Sequence, residues 1–325
     1  MTVATPKTFT ADTLVPAAVR TFYFIGVTTG SSSIRKVFPR WAVELGLGEV
    51  ELVGIDLPVH APRDQYRRVV QFLADDELSL GALVTTHKMD LYAAAQDLFD
   101  EIDPLAQLMT EISSISKRDG RLRADAKDPY SSGFALDTFI PPEKWGEIPR
   151  ELFLMGAGGS AIAMDWHLIR PERTAGRPVS VIVSNRSPER LDILRAVHEA
   201  TAPEIPLRTV LIASTADNDT VLAQLRPGAV VVNATGLGKD APGSPLSDRA
   251  RFPENAFAWD LNYRGDLVFL DQARAQSESR GITVVDGWDY FIHGWTQVIA
   301  EVFDVDIATS GPQFDRLSEL ARDTR

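Results

Sequence analysis

Short apolar runs alternate along this chain with longer stretches whose apolar residues recur at helical spacing. TFYFIGV (21–27) is continuously apolar, as in a strand covered on both faces, and it empties into the polar turn TTGSSS. In RKVFPRWAVELG the residues Val37, Trp41 and Leu45 fall in phase on one helical face. VELVGIDL (50–57) predicts the next strand, YRRVVQFLADD the next helix and GALVTT a third strand. Beyond it Leu91, Ala95, Leu98 and Phe99 share a helical face, and Lys88 stands where the apolar strand hands over to that helix. Strands that alternate with helices predict a parallel sheet covered by helices.

The pattern breaks at 140–149, where TFIPPEKWGEIPR carries three prolines and a glycine and reads as a linker or an inter-domain turn. A second α/β series then runs through ELFLMGAGGSAIAMDWHLI, VSVIVSNRSPERLDILRAVHEA, TVLIAS, AVVVNATGLG, FAWDLNY and ITVVDG. YFIHGWTQVIAEVFDV follows it and is apolar around much of its circumference, which predicts a buried helix that crosses back to the first domain. The expected fold class is α/β, with two such domains and a cleft between them.

Composition narrows the function. A length of 325 residues suits about two domains, and 44% hydrophobic with 24% charged residues is ordinary for a soluble globular protein. A net charge of −12 speaks against nucleic acid or an acidic membrane as the partner. With no cysteine, disulfides and thiol catalysis are excluded, which fits a cytoplasmic protein. The first twenty residues lack the apolar core of a signal peptide, and no run is long enough to span a bilayer. The five histidines, at 60, 87, 167, 198 and 293, show no metal-ligand spacing, so no metal is expected. The expected partner is a small-molecule substrate bound by a monomer or homodimer.

The clearest motif is ELFLMGAGGSAIA, a strand followed by Gly156, Gly158 and Ala161 in the G-x-G-x-x-A pattern, with Gly159 and Ser160 opening a helix. Such glycines let the backbone approach a pyrophosphate, and the helix N-terminus supplies N–H groups and partial positive charge. The second strand ends in VIVSNRSPER, where an NAD enzyme usually carries an acidic residue for the ribose hydroxyls. Here Asn185, Arg186 and Ser187 offer donors and Arg190 adds charge, which suits a 2′-phosphate and predicts NADP(H). The competing reading of the arginine is a solvated side chain at a helix start.

With these residues in place, the chain resembles the shikimate/quinate dehydrogenase family over nearly its whole length. MGAGGSAIA is similar to that family's GAGGxxxA, and SNRSPER to its NRTxxK, which goes with NADP. NATGLGKDAPGSPL resembles NATSxGMxxxxxxPL, and DLNYRGDLVFLDQARAQSESRGITVVDG resembles DxxYxPxxTxLLxxAxxxGxxxxxG. The resemblance implies that Asn233, Ala234, Thr235 and Gly287 join the cofactor site. IGVTTGSSSIRKVFPRW is similar to GxPIxHSxSPxxHNxxF with one residue dropped, which places Ser31 and Ser33 on the serines that bind the substrate carboxylate and Trp41 on the aromatic. LVTTHK is similar to NVTxPxK, again one residue short, and puts Lys88 on the catalytic lysine with Thr85 as a substrate contact. The stretch from LFDEIDP to AKD aligns with the one ending in NTD, so Asp128 matches the catalytic aspartate and Ser113 a substrate-binding asparagine.

The chain also departs from the family. Leu83 stands for the asparagine of NVT, Ala126-Lys127 for the NT, and two residues are inserted between Asp128 and Gly133. The substrate glutamine falls on Gly294 in an ungapped match, whereas Gln297 lies one turn further on the same helix face. The resemblance implies a substrate-binding and catalytic domain over 1–142 plus 287–325 and an NADP-binding Rossmann domain over 147–286.

The implied reaction moves a hydride between the nicotinamide and a ring carbon bearing a hydroxyl or ketone. A developing alkoxide then needs an acid, for which a desolvated lysine is suited. A carboxylate beside Lys88 opposes that shift, so Asp128 either moves the proton or orients the lysine and binds the same hydroxyl. Asp125 is the alternative to Asp128, and Lys127 and Lys239 are rival lysines. His87 and His293 read as hydrogen-bonded supports, and Trp288 and Tyr290 as core or pocket wall. The expected function is an NADP-dependent dehydrogenase of a shikimate-, quinate- or aminoshikimate-like carbocyclic acid. The alternatives are a reductase of another cyclic or sugar-like ketone and a non-enzymatic metabolite-binding module.

Overall fold

The computed structural model describes residues 7–239 and 241–324; residues 1–6, part of the stretch read above for a signal peptide, lie outside them. The chain divides into two units, Met1–Lys127 with Gly294–Arg325, and Asp128–His293.

The first unit is built on a seven-stranded sheet. Its strands are β1 (Thr8–Thr10), β2 (Thr21–Gly26), β3 (Glu51–Asp56), β4 (Ser79–Val84), β5 (Glu101–Ile102), β6 (Ser114–Arg118) and β7 (Arg121–Asp125), in the order β1-β3-β2-β4-β6-β7-β5. The strands β1 to β4 pair in parallel, as the alternation with helices requires. Every residue of β2 is buried, which explains its unbroken apolar run. Tyr23 and Ile25 point to a core that contains Val69, Leu73 and Leu91 from the helices Arg63–Asp75 and Lys88–Ala95. On the opposite face Phe22 and Phe24 meet Trp295 edge-on, with ring centroids 6.0 and 4.9 Å apart.

One expectation is corrected here. The sheet is not wholly parallel, because β6 runs antiparallel to β4 and to β7. The cause is the two-residue turn Asp119-Gly120, both with positive φ (50° and 75°), the backbone that closes a tight hairpin with the natural strand twist. The dipeptide in KRDGRL carried that signal, and the helix–strand alternation around it masked it. A helix beyond the sequence reading, Pro312–Ala321, is joined to helix Ile34–Glu44 by the Trp41 indole, which donates to the Leu317 carbonyl at 2.8 Å.

The second unit holds a six-stranded, fully parallel sheet of β8 (Glu151–Met155), β9 (Ser180–Asn185), β10 (Leu207–Leu211), β11 (Val230–Asn233), β12 (Phe257–Asp260) and β13 (Thr283–Val285). The order β10-β9-β8-β11-β12-β13 is the doubly wound arrangement, with its reversal of winding between β8 and β11. Helices Gly159–Ile169 and Pro188–Thr201 are tied by a buried pair: His198 Nδ1 lies 3.0 Å from Asp165 Oδ2, while Nε2 lies 2.9 Å from the Ile205 carbonyl. Burial alone would lower the His198 pKa, but its hydrogen bond to Asp165 and that carboxylate's charge raise it.

The boundary between units falls at Lys127/Asp128 rather than in the proline-rich stretch at 140–149. That stretch contains a short helix, Pro142–Trp145, with the Trp145 side chain buried, so the prolines shape a packed turn and not a free linker. Helix Asp128–Phe139 belongs to the second unit because it lies tightly on helix Gly159–Ile169. The approach is set by Gly133, where a Cβ would sit 2.0 Å from the His167 ring. Arg173 clamps the same place, donating to both Asp137 carboxylate oxygens at 2.8 and 3.2 Å.

Candidate functional site

In the second unit the carboxyl ends of the parallel strands line one edge of the sheet, and the motif residues collect there. Gly156 leaves β8 with φ of 110°, and a Cβ on it would stand 2.7 Å from the Ala234 carbonyl oxygen. That close approach is fixed by Ala234, whose N–H donates to the Met155 carbonyl at 2.9 Å. Gly158 has extended backbone, and a Cβ there would meet no atom of the described protein within 4 Å. The first glycine is thus needed for folding, whereas the second keeps space clear in front of the helix that Gly159, Ser160 and Ala161 open. The Ala161 and Ile162 N–H groups donate to the Gly158 carbonyl at 3.0 and 3.1 Å, so those of Gly159 and Ser160 are the ones that this helix start offers to a ligand. These features fit the pyrophosphate of a dinucleotide.

Asn185 ends β9, and Arg186 is exposed just beyond it. Ser187 is the N-cap of helix Pro188–Thr201: its hydroxyl accepts from the Arg190 N–H at 3.3 Å and donates to Glu189 at 2.8 Å. Of the four residues read as a 2′-phosphate site, Arg186 is therefore the side chain that the fold leaves presented outward, with Ser187 shaping the turn beneath it.

Asn233 is buried, and its side chain is engaged within the protein. Its Oδ1 accepts from the Thr235 N–H and hydroxyl at 3.1 and 2.6 Å, and its Nδ2 donates to Asp260 Oδ2 at 3.1 Å. Asp260 also accepts from the Asn262 N–H at 2.9 Å, and Asn262 reaches the Leu237 carbonyl at 3.1 Å. This network sets the turn of residues 233–237, so Asn233 holds Ala234 and Thr235 in place rather than presenting its own amide. Gly287 packs so closely that a Cβ would lie 2.0 Å from the Leu261 carbonyl oxygen.

Two buried groups near this edge give opposing pH dependences. Burial pushes the Asp260 carboxyl up to about 6 from 3.8, despite its donors from Asn262 and Asn233. The folded state then holds that proton more tightly than the unfolded chain, so its contribution is full in acid and is lost as pH rises toward about 6. Burial pushes the His293 imidazole down to about 4 from 6.5, so its contribution is full above 6.5 and is lost as pH falls toward about 4. Each amounts to roughly 3 kcal/mol at most, and over the shared window they oppose. Each contribution is therefore read as the difference between variant and wild-type unfolding free energies in urea across about pH 4 to 6.5. Relative to the wild type, the stability of Asp260→Asn should climb with pH, and that of His293→Gln should decline.

Asp128 opens helix Asp128–Phe139 and is 6% exposed. Its Oδ2 accepts from the Tyr290 hydroxyl at 2.7 Å and from the Ser160 hydroxyl at 3.1 Å, and those two hydroxyl oxygens are 2.9 Å apart. Ser160 was read from the sequence as a cofactor contact. Its backbone opens the dinucleotide helix as expected, while its side chain turns to the carboxylate. Tyr290 was read as wall or core; the clue to more was chemical, since a tyrosine among apolar neighbours must find a partner for its hydroxyl.

In the first unit Lys88 is half-buried at the start of helix Lys88–Ala95, just past the carboxyl end of β4. A cation at a helix N-terminus is opposed by the helix dipole, so helix stability does not account for it. Behind it His87 is fully buried, with Nδ1 3.0 Å from the Tyr66 hydroxyl and a pKa lowered by burial. The Thr85 hydroxyl donates to the Ile25 carbonyl at 3.2 Å, which ties the loop to β2. Ser31 is exposed and donates to the Thr28 carbonyl at 3.1 Å, whereas Ser33 donates to the Thr324 carbonyl at 3.0 Å. Ser113 is buried; its hydroxyl accepts the Lys127 N–H at 2.7 Å and lies 3.4 Å from the Asp125 carbonyl.

Two of the rivals named above, Asp125 and Lys127, lie in the same unit. Asp125 is 2% exposed and pairs with the Arg123 guanidinium at 3.1 Å. Burial raises its pKa against that pairing. Lys127 pairs with Glu301 at 2.6 Å, and Arg118 also reaches Glu301 at 3.2 Å. Gln297 is half-buried on helix Trp288–Phe303, and at Gly294 a Cβ would find open space within 4 Å.

No family model matches the chain. It is 30% identical over 292 residues to the shikimate dehydrogenase (NADP(+)) of Methylocella silvestris, an alignment that covers 88% of this chain and 91% of that protein. Among solved structures, it is similar to shikimate 5-dehydrogenase from Thermus thermophilus in complex with NADP(H) and shikimate, with a TM-score of 0.64 and 22% identity over 94% of this chain and 99% of that one. It is also similar to the 5-ketofructose reductase of Gluconobacter sp. strain CHM43, with a TM-score of 0.62 and 13% identity over 94% of this chain and 98% of that one. At such identities the two structures speak for the fold. The fold carries two α/β units, the glycine turn sits at the switch point, and the sequence likeness extends over nearly the whole of the first relative: the chain belongs to the shikimate dehydrogenase family.

Proposed function

We propose that this protein is an NADP-dependent dehydrogenase of a shikimate-, quinate- or aminoshikimate-like carbocyclic acid. The observation that carries this reading is the likeness to a shikimate dehydrogenase (NADP(+)) over 91% of that relative's length. The cofactor, when bound, gives or takes the hydride. The backbone from Gly156 to Ala161 would receive its pyrophosphate, and Arg186, supported by Arg190, its 2′-phosphate. Ala234 and Thr235, held by Asn233, and Gly287 would line the path toward the nicotinamide.

On the substrate side Lys88 exchanges a proton with the reacting hydroxyl, and Asp128 is that hydroxyl's second partner. Ser31, Ser33, Thr85 and Ser113 align with family substrate positions, and Gln297 lies one turn beyond Gly294, which aligns with the family glutamine. Ser31, Ser33, Thr85 and Ser113 each hydrogen-bond a backbone group of their own unit; Ser31 is the exposed one of the four and, with Gln297, is the better candidate for direct contact. The buried Leu83 and the Lys127–Glu301 ion pair replace polar family positions and favour a second reading, a same-fold reductase of another cyclic or sugar-like ketone. A panel of shikimate, quinate, aminoshikimate and cyclic polyols with NADP+, followed by nicotinamide absorbance, separates the two. Turnover confined to the carboxylated rings supports the first; turnover confined to uncharged polyols supports the second.

A further inference from the structure

We propose that Ser160 and Tyr290 are positioning residues for Asp128, two hydroxyls that converge on one carboxylate oxygen and fix where the other end of that carboxylate points. The proposal rests on the reading of Asp128 as the aspartate that meets the substrate hydroxyl. The three oxygens form a closed triangle with sides of 2.7, 2.9 and 3.1 Å. Ser and Tyr hydroxyls bring one proton each, so with Asp128 as carboxylate two protons serve three contacts. With both protons used inside the triangle, at least one is always turned to the carboxylate, which acts there only as acceptor.

The three side chains come from different places. Asp128 starts one helix, Ser160 lies in the first turn of the dinucleotide helix, and Tyr290 lies in the first turn of helix Trp288–Phe303. The Tyr290 ring is itself held edge-on against the buried Trp259, with centroids 6.3 Å apart. Ser160 thus does two things at once: its backbone opens the turn that faces the cofactor, and its side chain holds the carboxylate. Hydrogen bonds to a carboxylate are short and directional, so removing one leaves the group freer to turn.

The test uses the full chain with Tyr290→Phe and Ser160→Ala, each of which deletes one hydroxyl and little volume. Carbon-13 NMR records the Asp128 carboxyl resonance at neutral pH in the wild type and both variants without any ligand. Loss of a donor is expected to move that resonance in each variant. Rates with shikimate and NADP+ should show kcat lowered about tenfold with KM for NADP+ within about twofold. A carboxyl resonance at its wild-type position in both variants overturns the proposal, whatever the rates show. Asp128→Asn tests the underlying reading separately: full turnover in that variant removes Asp128 from the chemistry while leaving the NMR result to judge the clamp.

Discussion

Lys88→Ala should lower kcat for the preferred alcohol by roughly a thousandfold while NADPH still binds with its wild-type affinity. The expectation comes from placement. Lys88 sits at the amino end of a helix, where the dipole opposes a cation, and beyond the carboxyl end of a parallel strand, where ligands bind in α/β folds. The dinucleotide turn belongs to the other unit, so cofactor affinity is read out independently of the lysine. Alanine is the best helix former, so the variant should melt within a few degrees of the wild type. Titration of protein fluorescence with NADPH, beside steady-state rates, measures both halves. Wild-type turnover in a folded Lys88→Ala protein would end the acid/base assignment, and loss of NADPH binding would show the lysine acting elsewhere.

The glycine turn should respond to alanine in two distinct ways. At Gly156 the φ of 110° and the Ala234 carbonyl 2.7 Å from a would-be Cβ mean that alanine must move backbone. A cost of about 1–3 kcal/mol is expected, with a fall of several degrees in melting temperature and NADP+ affinity weakened at least about tenfold. At Gly158 the backbone is extended and the space is open, so alanine should leave the melting temperature unchanged. Its methyl would nonetheless stand where the pyrophosphate is expected, and NADP+ affinity should drop by a similar factor. Calorimetric melting with and without NADP+ separates the two: without ligand only Gly156→Ala melts early, and with ligand both lose the stabilisation that the wild type gains. Equal ligand-induced stabilisation in Gly158→Ala and the wild type would move the cofactor away from this turn.

The contrast between what the chain announces and what it conceals follows from distance in sequence. The strands β2, β3, β4 and β8 and the glycine turn were legible because their signals are local: an apolar run, a helical phase, a glycine spacing. The hairpin of β6 and β7 was also written locally, in Asp119-Gly120, but the α/β rhythm around it argued for parallel strands throughout. The boundary at Lys127/Asp128 was hidden because composition marks turns, whereas the unit is decided by Gly133 admitting the His167 ring. Hardest to read was the cluster on Asp128, whose members are 32, 130 and 162 residues apart along the chain. No motif links them, and only the folded backbone brings the hydroxyls to the carboxylate.

The reversed hairpin has a mechanical corollary. Because β6 runs against β4, its first residue, Ser114, pairs with Leu83 near the carboxyl end of β4, and Asp125 at the end of β7 returns to the same spot. The tip at Asp119-Gly120 lies about 17 Å away, five residues of extended chain. A one-residue slip of β7 against β6 would exchange the faces on which Arg123 and Ala124 stand, so the tight turn pins the register that brings Asp125 opposite Ser114. Extra residues at that solvent-facing tip would sit outside the ladder and leave the register as it is.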